Sequence, residues 1–138
     1  MARVALDADV VIAFLDAADD QHERAVDALR PRMTAGEQIV LSASVYAEIM
    51  VRPIARRTDA KVDEFLDAIN ATVIAIDRPT ARLAAELRGR HRSLRLPDAL
   101  SLAAAIAADA ELLTLDTRLL RIQEHEKKTR SRSSVSAP

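Results

Sequence analysis

Cysteine is absent from the 138-residue chain. This excludes a disulfide framework, a zinc–thiolate site and a cysteine nucleophile. Aromatics are scarce: Phe14, Tyr46 and Phe65, with no Trp. The stacking platforms on which many single-strand RNA and DNA binders lay bases are therefore missing. A nucleic-acid ligand must then be held by its backbone. Gly and Pro number only 2 and 5, while 49% of residues are hydrophobic and 30% charged, which excludes collagen-like and intrinsically disordered chains. No apolar run approaches ~18–20 residues, so no membrane span is expected. The start MARVALDADV lacks the long apolar stretch of a secretory signal. These absences fit a cytoplasmic protein, and the length leaves room for one domain.

The net charge of −1 hides a polarity. Residues 127–138, KKTRSRSSVSAP, carry four positive charges and no acid, which leaves the rest of the chain at −5. A body this acidic does not read as a nucleic-acid coat. The Ser- and Arg-rich end with its terminal Pro is expected to be a disordered basic tail, with residues 1–126 forming the domain.

Four short runs rich in Val, Ile or Leu read as strands: Arg3–Leu6, Gln38–Leu41, Thr72–Ile76 and Leu112–Leu115. They lack strict alternation, as strands covered on both faces do. Helical spacing of apolar residues marks Val10–Leu15, His22–Arg32, Ser44–Val51, Ala60–Ile69, Thr80–Arg92, Asp98–Ala108 and Thr117–Ile122. The stretch DALSLAAAIAA is apolar almost all round and reads as a buried helix packed through alanines. Strands alternating with helices imply an α/β fold with a mainly parallel sheet and right-handed connections.

In such sheets ligands bind beyond the carboxyl ends of the strands. Asp7 follows the first strand, with Asp9 two residues on; Glu48 lies on the helix after the second; Asp98 opens the buried helix behind Pro97; Asp116 follows the last strand. Each has an ordinary reading. Asp98, Asp7 and Asp116 can be helix caps, and Glu48 a solvated helix residue. Asp77, just ahead of Pro79, reads better as a cap. Together the ordinary readings weaken. Carboxylates gathered at one sheet edge repel, and unless protonated they need a cation between them. An all-oxygen set without Cys suits Mg²⁺ or Mn²⁺, ions that support in-line displacement at a phosphodiester.

Here the sequence resembles the PIN-domain nucleases, and within them the VapC-type toxins of bacterial toxin–antitoxin pairs. The matching pieces are VALDADVVIAFL, QHERA, SASVYAEIM, RLPDALSLAAA and LLTLDTRL, in order from residue 3 to about 122. The resemblance implies a PIN-like three-layer α/β/α sandwich with a short central, mainly parallel sheet. It implies that Asp7, Glu48, Asp98 and Asp116 bind Mg²⁺ or Mn²⁺, and that Thr114 orients a water or a carboxylate. The implied activity is metal-dependent endoribonuclease, leaving 5′-phosphate and 3′-hydroxyl ends. The implied partners are the RNA substrate, a cognate VapB-type antitoxin, a second copy of the chain, and operator DNA through the antitoxin only. Two departures stand out. Ala8 and Asp9 replace the hydroxyl residue and the Ser or Asn that often follow the first Asp, so Asp9 either adds a carboxylate or caps a helix. No strand pattern follows Arg121, where the family commonly adds an edge strand.

Phosphate contacts are expected from Arg52, Arg56 and Arg57 after the Glu48 helix and from Arg88, Arg90, Arg92 and Arg95 before Asp98, since the planar guanidinium binds two oxygens at once; solvated helix-end charges are the plainer reading. His22 reads as structural, His125 as solvated, and His91 lies within the arginine stretch. LDADVV also resembles the DxD motif of haloacid-dehalogenase-type phosphatases, but Lys61, Lys127 and Lys128 with Gly36 and Gly89 do not complete that set. A receiver domain fails similarly. A partner-binding PIN module with little intrinsic cleavage remains the main rival.

Overall fold

The structure, a computed structural model, describes residues 2–136. The elements are β1 (Arg3–Leu6), α1 (Ala8–Leu15), α2 (His22–Thr34), β2 (Gln38–Ser42), α3 (Ala43–Arg56), α4 (Asp59–Ala68), β3 (Thr72–Ile74), α5 (Arg78–Arg90), α6 (Leu96–Ala107), β4 (Glu111–Leu113) and α7 (Thr117–Ser136). The sheet order is β3-β2-β1-β4, with every pair parallel. Val4 registers with Ile39 on one side and Glu111 on the other, and Val40 with Thr72.

Successive strand residues face opposite sides of the pleat, and the core divides accordingly. Val4, Leu6, Ile39, Leu41 and Leu113 pack against α1–α4, while Ala5, Val40 and Leu112 pack against α5–α7. This is the three-layer α/β/α arrangement. Both faces of β1 and β2 are buried, which explains the unbroken apolar runs. The second layer is closed mainly by small residues of α6: Ala99, Ala103 and Ala105 are fully buried. Their short side chains let α6 lie close to the sheet and to α5.

Several boundaries move from the expected ones. α3 continues past Pro53 to Arg56 and ends with Arg57 in the left-handed region at φ 59°. A proline this near the end of an exposed turn removes one donor and leaves the preceding helix intact. α6 begins at Leu96, because Pro97 is tolerated in a first turn. Asp98 is therefore inside the helix rather than its cap. Asp77 does cap α5, its Oδ1 accepting from the Thr80 amide at 3.0 Å. β3 and β4 each shorten to three residues.

The largest correction concerns the tail. α7 runs to Ser136, where a short helix to Ile122 and a disordered segment from Lys127 were expected; residues 137 and 138 lie outside the described residues. No Gly or Pro interrupts Thr117–Ser136, and long-range bonds hold the helix to the body. Gln123 accepts from the Leu112 amide at 2.7 Å and donates to its carbonyl at 3.0 Å. The side chain thus occupies the outward polar groups of edge strand β4, where a further strand would pair. No strand follows Arg121 among the described residues; α7 occupies the segment. Three residues on, Glu126 is buried and accepts from Arg90 (2.7 and 3.3 Å) and His91 (2.7 Å). Burial opposes its ionisation, but these donors prevail and hold its pKa below the usual carboxylate value. No helix among the described residues is long and apolar enough to cross a membrane.

Candidate metal centre

The parallel sheet brings the ends of β1 and β4 together, and the residues that leave those ends build the site. Asp7 follows β1 and caps α1, its Oδ1 accepting from the Ala8 amide at 2.9 Å. Its own amide donates to the Leu113 carbonyl at 3.0 Å, so the last rung of the ladder fixes the Asp7 backbone. The second oxygen, Oδ2, accepts from the Thr114 hydroxyl at 2.9 Å. Thr114 is itself buried. One hydroxyl therefore locks the carboxylate that caps α1 to the far side of the β1–β4 pair.

Asp9 completes this lock. Its Oδ2 accepts from the Leu115 amide at 3.0 Å and from Thr114 Oγ1 at 3.2 Å. β4 stops at Leu113 because the next polar groups serve these carboxylates instead of the ladder. Asp9 is thus not the cap of α1, which is Asp7; its carboxylate is bonded to Thr114 and Leu115 beside Asp7.

Asp98 sits in the first turn of α6 with its side chain 15% exposed. Its Oδ2 is buried and has no hydrogen-bond partner. Arg95 Nε is 3.6 Å away, an ion-pair distance beyond hydrogen bonding. Ser101, one turn later on α6, is buried beside Asp7 and lowers the cost of its charge. Sequence reasoning passed over Ser101; the i, i+3 spacing from Asp98 on an otherwise apolar helix was the available signal.

The electrostatics show a set short of positive charge. Asp7 is raised above the ordinary aspartate value by burial, against its hydrogen bonds from Thr114 and Ala8, with the Asp98 charge adding to the rise. Asp9 is pushed up to about 6, by burial and then by the charge of Asp7. Glu48, on α3, is raised by burial and by Asp7 and Asp98, with Arg95 opposing. Four acids from three helices and one cap therefore share a field, with the Arg95 guanidinium at its rim.

Asp116 stands differently. Its Oδ1 accepts from the amides of Arg118 (2.9 Å) and Leu119 (3.3 Å), so it caps α7, and its amide donates to Thr114 Oγ1 at 3.2 Å. Oδ2 lies 4.0 Å from Arg118. The residue is tied to Thr114 through its backbone, with one carboxylate oxygen on the helix and the other at the surface.

The donor set fits a hard divalent cation. It is all oxygen, charged beyond its local compensation, and includes a buried carboxylate oxygen with no partner. The first turns of α1 and α6 add positive dipole ends that make the acids tolerable without removing their mutual repulsion. Asp7, Asp98 and Glu48 can hold such an ion.

Of the arginines, Arg90 is committed to Glu126 and Arg95 to Asp98. Arg52, Arg56, Arg57, Arg88 and Arg92 are exposed and form no ion pair among the described residues. His22 is structural, as expected, its Nδ1 on the Ala13 carbonyl at 2.8 Å.

Comparison with known proteins agrees with this architecture. No curated protein matches the sequence. A toxin–antitoxin complex from Klebsiella pneumoniae is similar at 25% identity, TM-score 0.65, over 83% of this chain and 87% of that one. VapC20 of Mycobacterium tuberculosis, a sarcin–ricin loop cleaving toxin, superposes at TM-score 0.67 with 18% identity, over 86% and 93%. VapBC2 from Rickettsia felis, bound to a DNA fragment of its promoter, superposes at 0.68 with 20% identity, over 87% and 92%. The last two, at such low identity, speak for the fold alone. The PIN domain family itself matches residues 4–125, nearly the whole described chain. With its parallel sheet in the order β3-β2-β1-β4 and its acids gathered at one edge of it, the chain belongs to the PIN domain family.

Proposed function

We propose that the protein is the toxin of a toxin–antitoxin pair and acts as a Mg²⁺- or Mn²⁺-dependent endoribonuclease in the cytoplasm. The single observation that carries this reading is the buried, unpartnered Asp98 Oδ2 among Asp7, Asp9 and Glu48. Such a set is stable when a cation enters it. Asp7, Glu48 and Asp98 hold the ion, with the outer oxygen of Asp116 at the rim. When bound, the ion neutralises the scissile phosphate and makes water a better nucleophile.

The chain's own residues set the geometry. Thr114 and Ala8 keep the Asp7 carboxylate in one orientation. Asp9 keeps Thr114 and Leu115 in place, and with them the start of α7. Arg95 stands where a phosphate oxygen arriving at Asp98 meets a cation. Arg52, Arg56, Arg57 and Arg92 are free to follow the RNA backbone, and Arg90 takes no part. Binding through phosphate contacts makes the affinity salt-dependent.

A cognate VapB-type antitoxin neutralises the enzyme and carries the operator-DNA contact, and the toxin pairs with a second copy. Exposed apolar side chains support such partners: Ile12 and Leu15 on α1, Val51 and Ile54 on α3. The Klebsiella pneumoniae relative is itself a toxin–antitoxin complex.

The test is purified protein, free of partner, on total cellular RNA with Mg²⁺, with Mn²⁺ and with EDTA. Discrete metal-dependent cuts bearing 5′-phosphates are expected, and their loss in Asp7→Asn and Asp98→Asn. Cutting by both variants at the wild-type rate contradicts the reading. A wild type that binds divalent ions and antitoxin but cuts no RNA favours a partner-binding module.

A further inference from the structure

We propose that His91, His125 and Glu126 form a second metal site, separate from the carboxylate centre, that takes a transition-metal ion of the Zn²⁺ class. One ligand atom from each of the three lies within 4.8 Å of the other two. No carboxylate trio of the sheet edge is so closely gathered among the described residues. Two imidazoles and one carboxylate suit Zn²⁺, Co²⁺ or Ni²⁺, whereas an all-oxygen set suits Mg²⁺.

The site is already half built. Glu126 is buried, with 5% of its side chain exposed. Arg90 Nη2 donates to Oε1 at 2.7 Å and its Nε reaches Oε2 only at 3.3 Å, while Oε2 meets His91 Nε2 at 2.7 Å. An arginine on the outer oxygen of a ligating carboxylate fixes its direction, as outer-shell partners of metal sites do. The proton shared by His91 and Glu126 occupies the place of the ion. Its loss to solvent, with separation of the two atoms to about 3.4 Å, gives tetrahedral ligand spacing. His125 stands edge-on to His91, with ring centroids 5.5 Å apart. It is exposed, so its ring turns inward without disturbing the core and leaves the fourth position to water.

The location also separates the two centres. Glu126 lies nine residues beyond Thr117, about 14 Å along α7 at 1.5 Å per residue. It borders a cleft with Arg3 and Glu111, the first residues of β1 and β4. The carboxylate centre is at the other end of these strands. An ion on His91 and Glu126 ties the segment after α5 to α7.

The experiment is titration of tag-free protein with ZnCl₂ in excess Mg²⁺, by calorimetry and by thermal melting. Cobalt absorption in the visible range reports coordination geometry. One Zn²⁺ per chain and a rise in Tm of roughly 5 °C or more at saturation are expected. His125→Ala, a surface change that leaves the fold intact, is expected to weaken Zn²⁺ binding at least about tenfold. Asp7→Asn with Asp98→Asn leaves it unchanged. Equal Zn²⁺ affinity in His125→Ala and wild type overturns the proposal, as does loss of the Zn²⁺ site in the Asp7/Asp98 double variant. Neither result depends on RNA cleavage.

Discussion

Two buried carboxylates in this protein meet opposite fates. Asp7 and Glu126 are comparably hidden, at 8% and 4% exposure. Burial pushes the Asp7 pKa up, and its neighbour Asp98 adds to the rise. Burial opposes the ionisation of Glu126 too, though less strongly, and its pKa falls because Arg90 and His91 supply donors and charge. Desolvation alone does not decide whether a buried acid is settled; the cation beside it does. At Glu126 the chain provides that cation. At the sheet edge it provides only Arg95, 3.6 Å from Asp98 and exposed. The unsettled end is therefore where a hard ion such as Mg²⁺ enters without displacing anything, whereas an ion at Glu126 has to replace the proton that His91 already shares with it.

This contrast can be broken at either end. The largest effect is expected from Asp7→Asn or Asp98→Asn, which lower RNA cleavage in Mg²⁺ by at least about 100-fold. Because each removes an uncompensated charge, neither lowers the thermal stability of the metal-free protein. A clear fall in its Tm contradicts the electrostatic account. At the settled end Arg90→Ala has the reverse profile. It leaves Glu126 buried with His91 alone and costs about 2 kcal/mol in urea unfolding, half-exposure of Arg90 having reduced the figure. Cleavage by the folded variant stays at the wild-type rate.

A smaller effect sharpens the geometry. Thr114→Val keeps the shape but removes the hydroxyl that bonds Asp7 and Asp9. Cleavage is expected to fall roughly tenfold, the equivalent of one hydrogen bond to a charged group. Rescue by Thr114→Ser distinguishes the hydroxyl from the methyl.

The last effect is on pH. Asp9 has a folded pKa of about 6 against an ordinary 3.8. Between these values the folded chain binds more protons than the unfolded one, so stability falls as pH rises through the window and levels off above it. The metal-free protein is expected to melt at a lower temperature at pH 7 than at pH 4.5 on this account. Saturating Mg²⁺ or Asp9→Asn flattens the trend. An equally steep trend in Asp9→Asn assigns it to other groups.

Much of the fold is legible along the chain. Arg3–Leu6 and the starts of β2 and β3 follow from short β-rich runs, and the buried alanine helix from its all-round apolarity. These depend on neighbours within a turn or two, and sequence carries that information directly. The end of α3 is less legible, because Pro53 reads as a stop and the structure tolerates it in an exposed last turn. α7 is the clearest failure. A basic, Ser-rich stretch has little periodicity, and the helix is held by Gln123 on β4 and Glu126 on Arg90 and His91. Those partners are remote in sequence, so no local pattern announces them.

By itself, then, the sequence determined the order of strands and helices, the placing of Asp7 and Asp98 at element ends and that of Glu48 on the helix after β2. Those follow from short-range periodicity and from the rule that parallel strands deliver their exits to one edge. Tertiary structure decided the rest. It bonded Asp9 to Thr114 and Leu115, more than a hundred residues away. It withdrew Arg90 from the surface set and gave it to Glu126, and it seated Ser101 beside Asp7. Each of these is a choice among several polar partners that the sequence offers equally. Only the packing of β4, α6 and α7 onto β1 fixes which donor comes within about 3.5 Å of which acceptor, and a hydrogen bond has no longer reach than that.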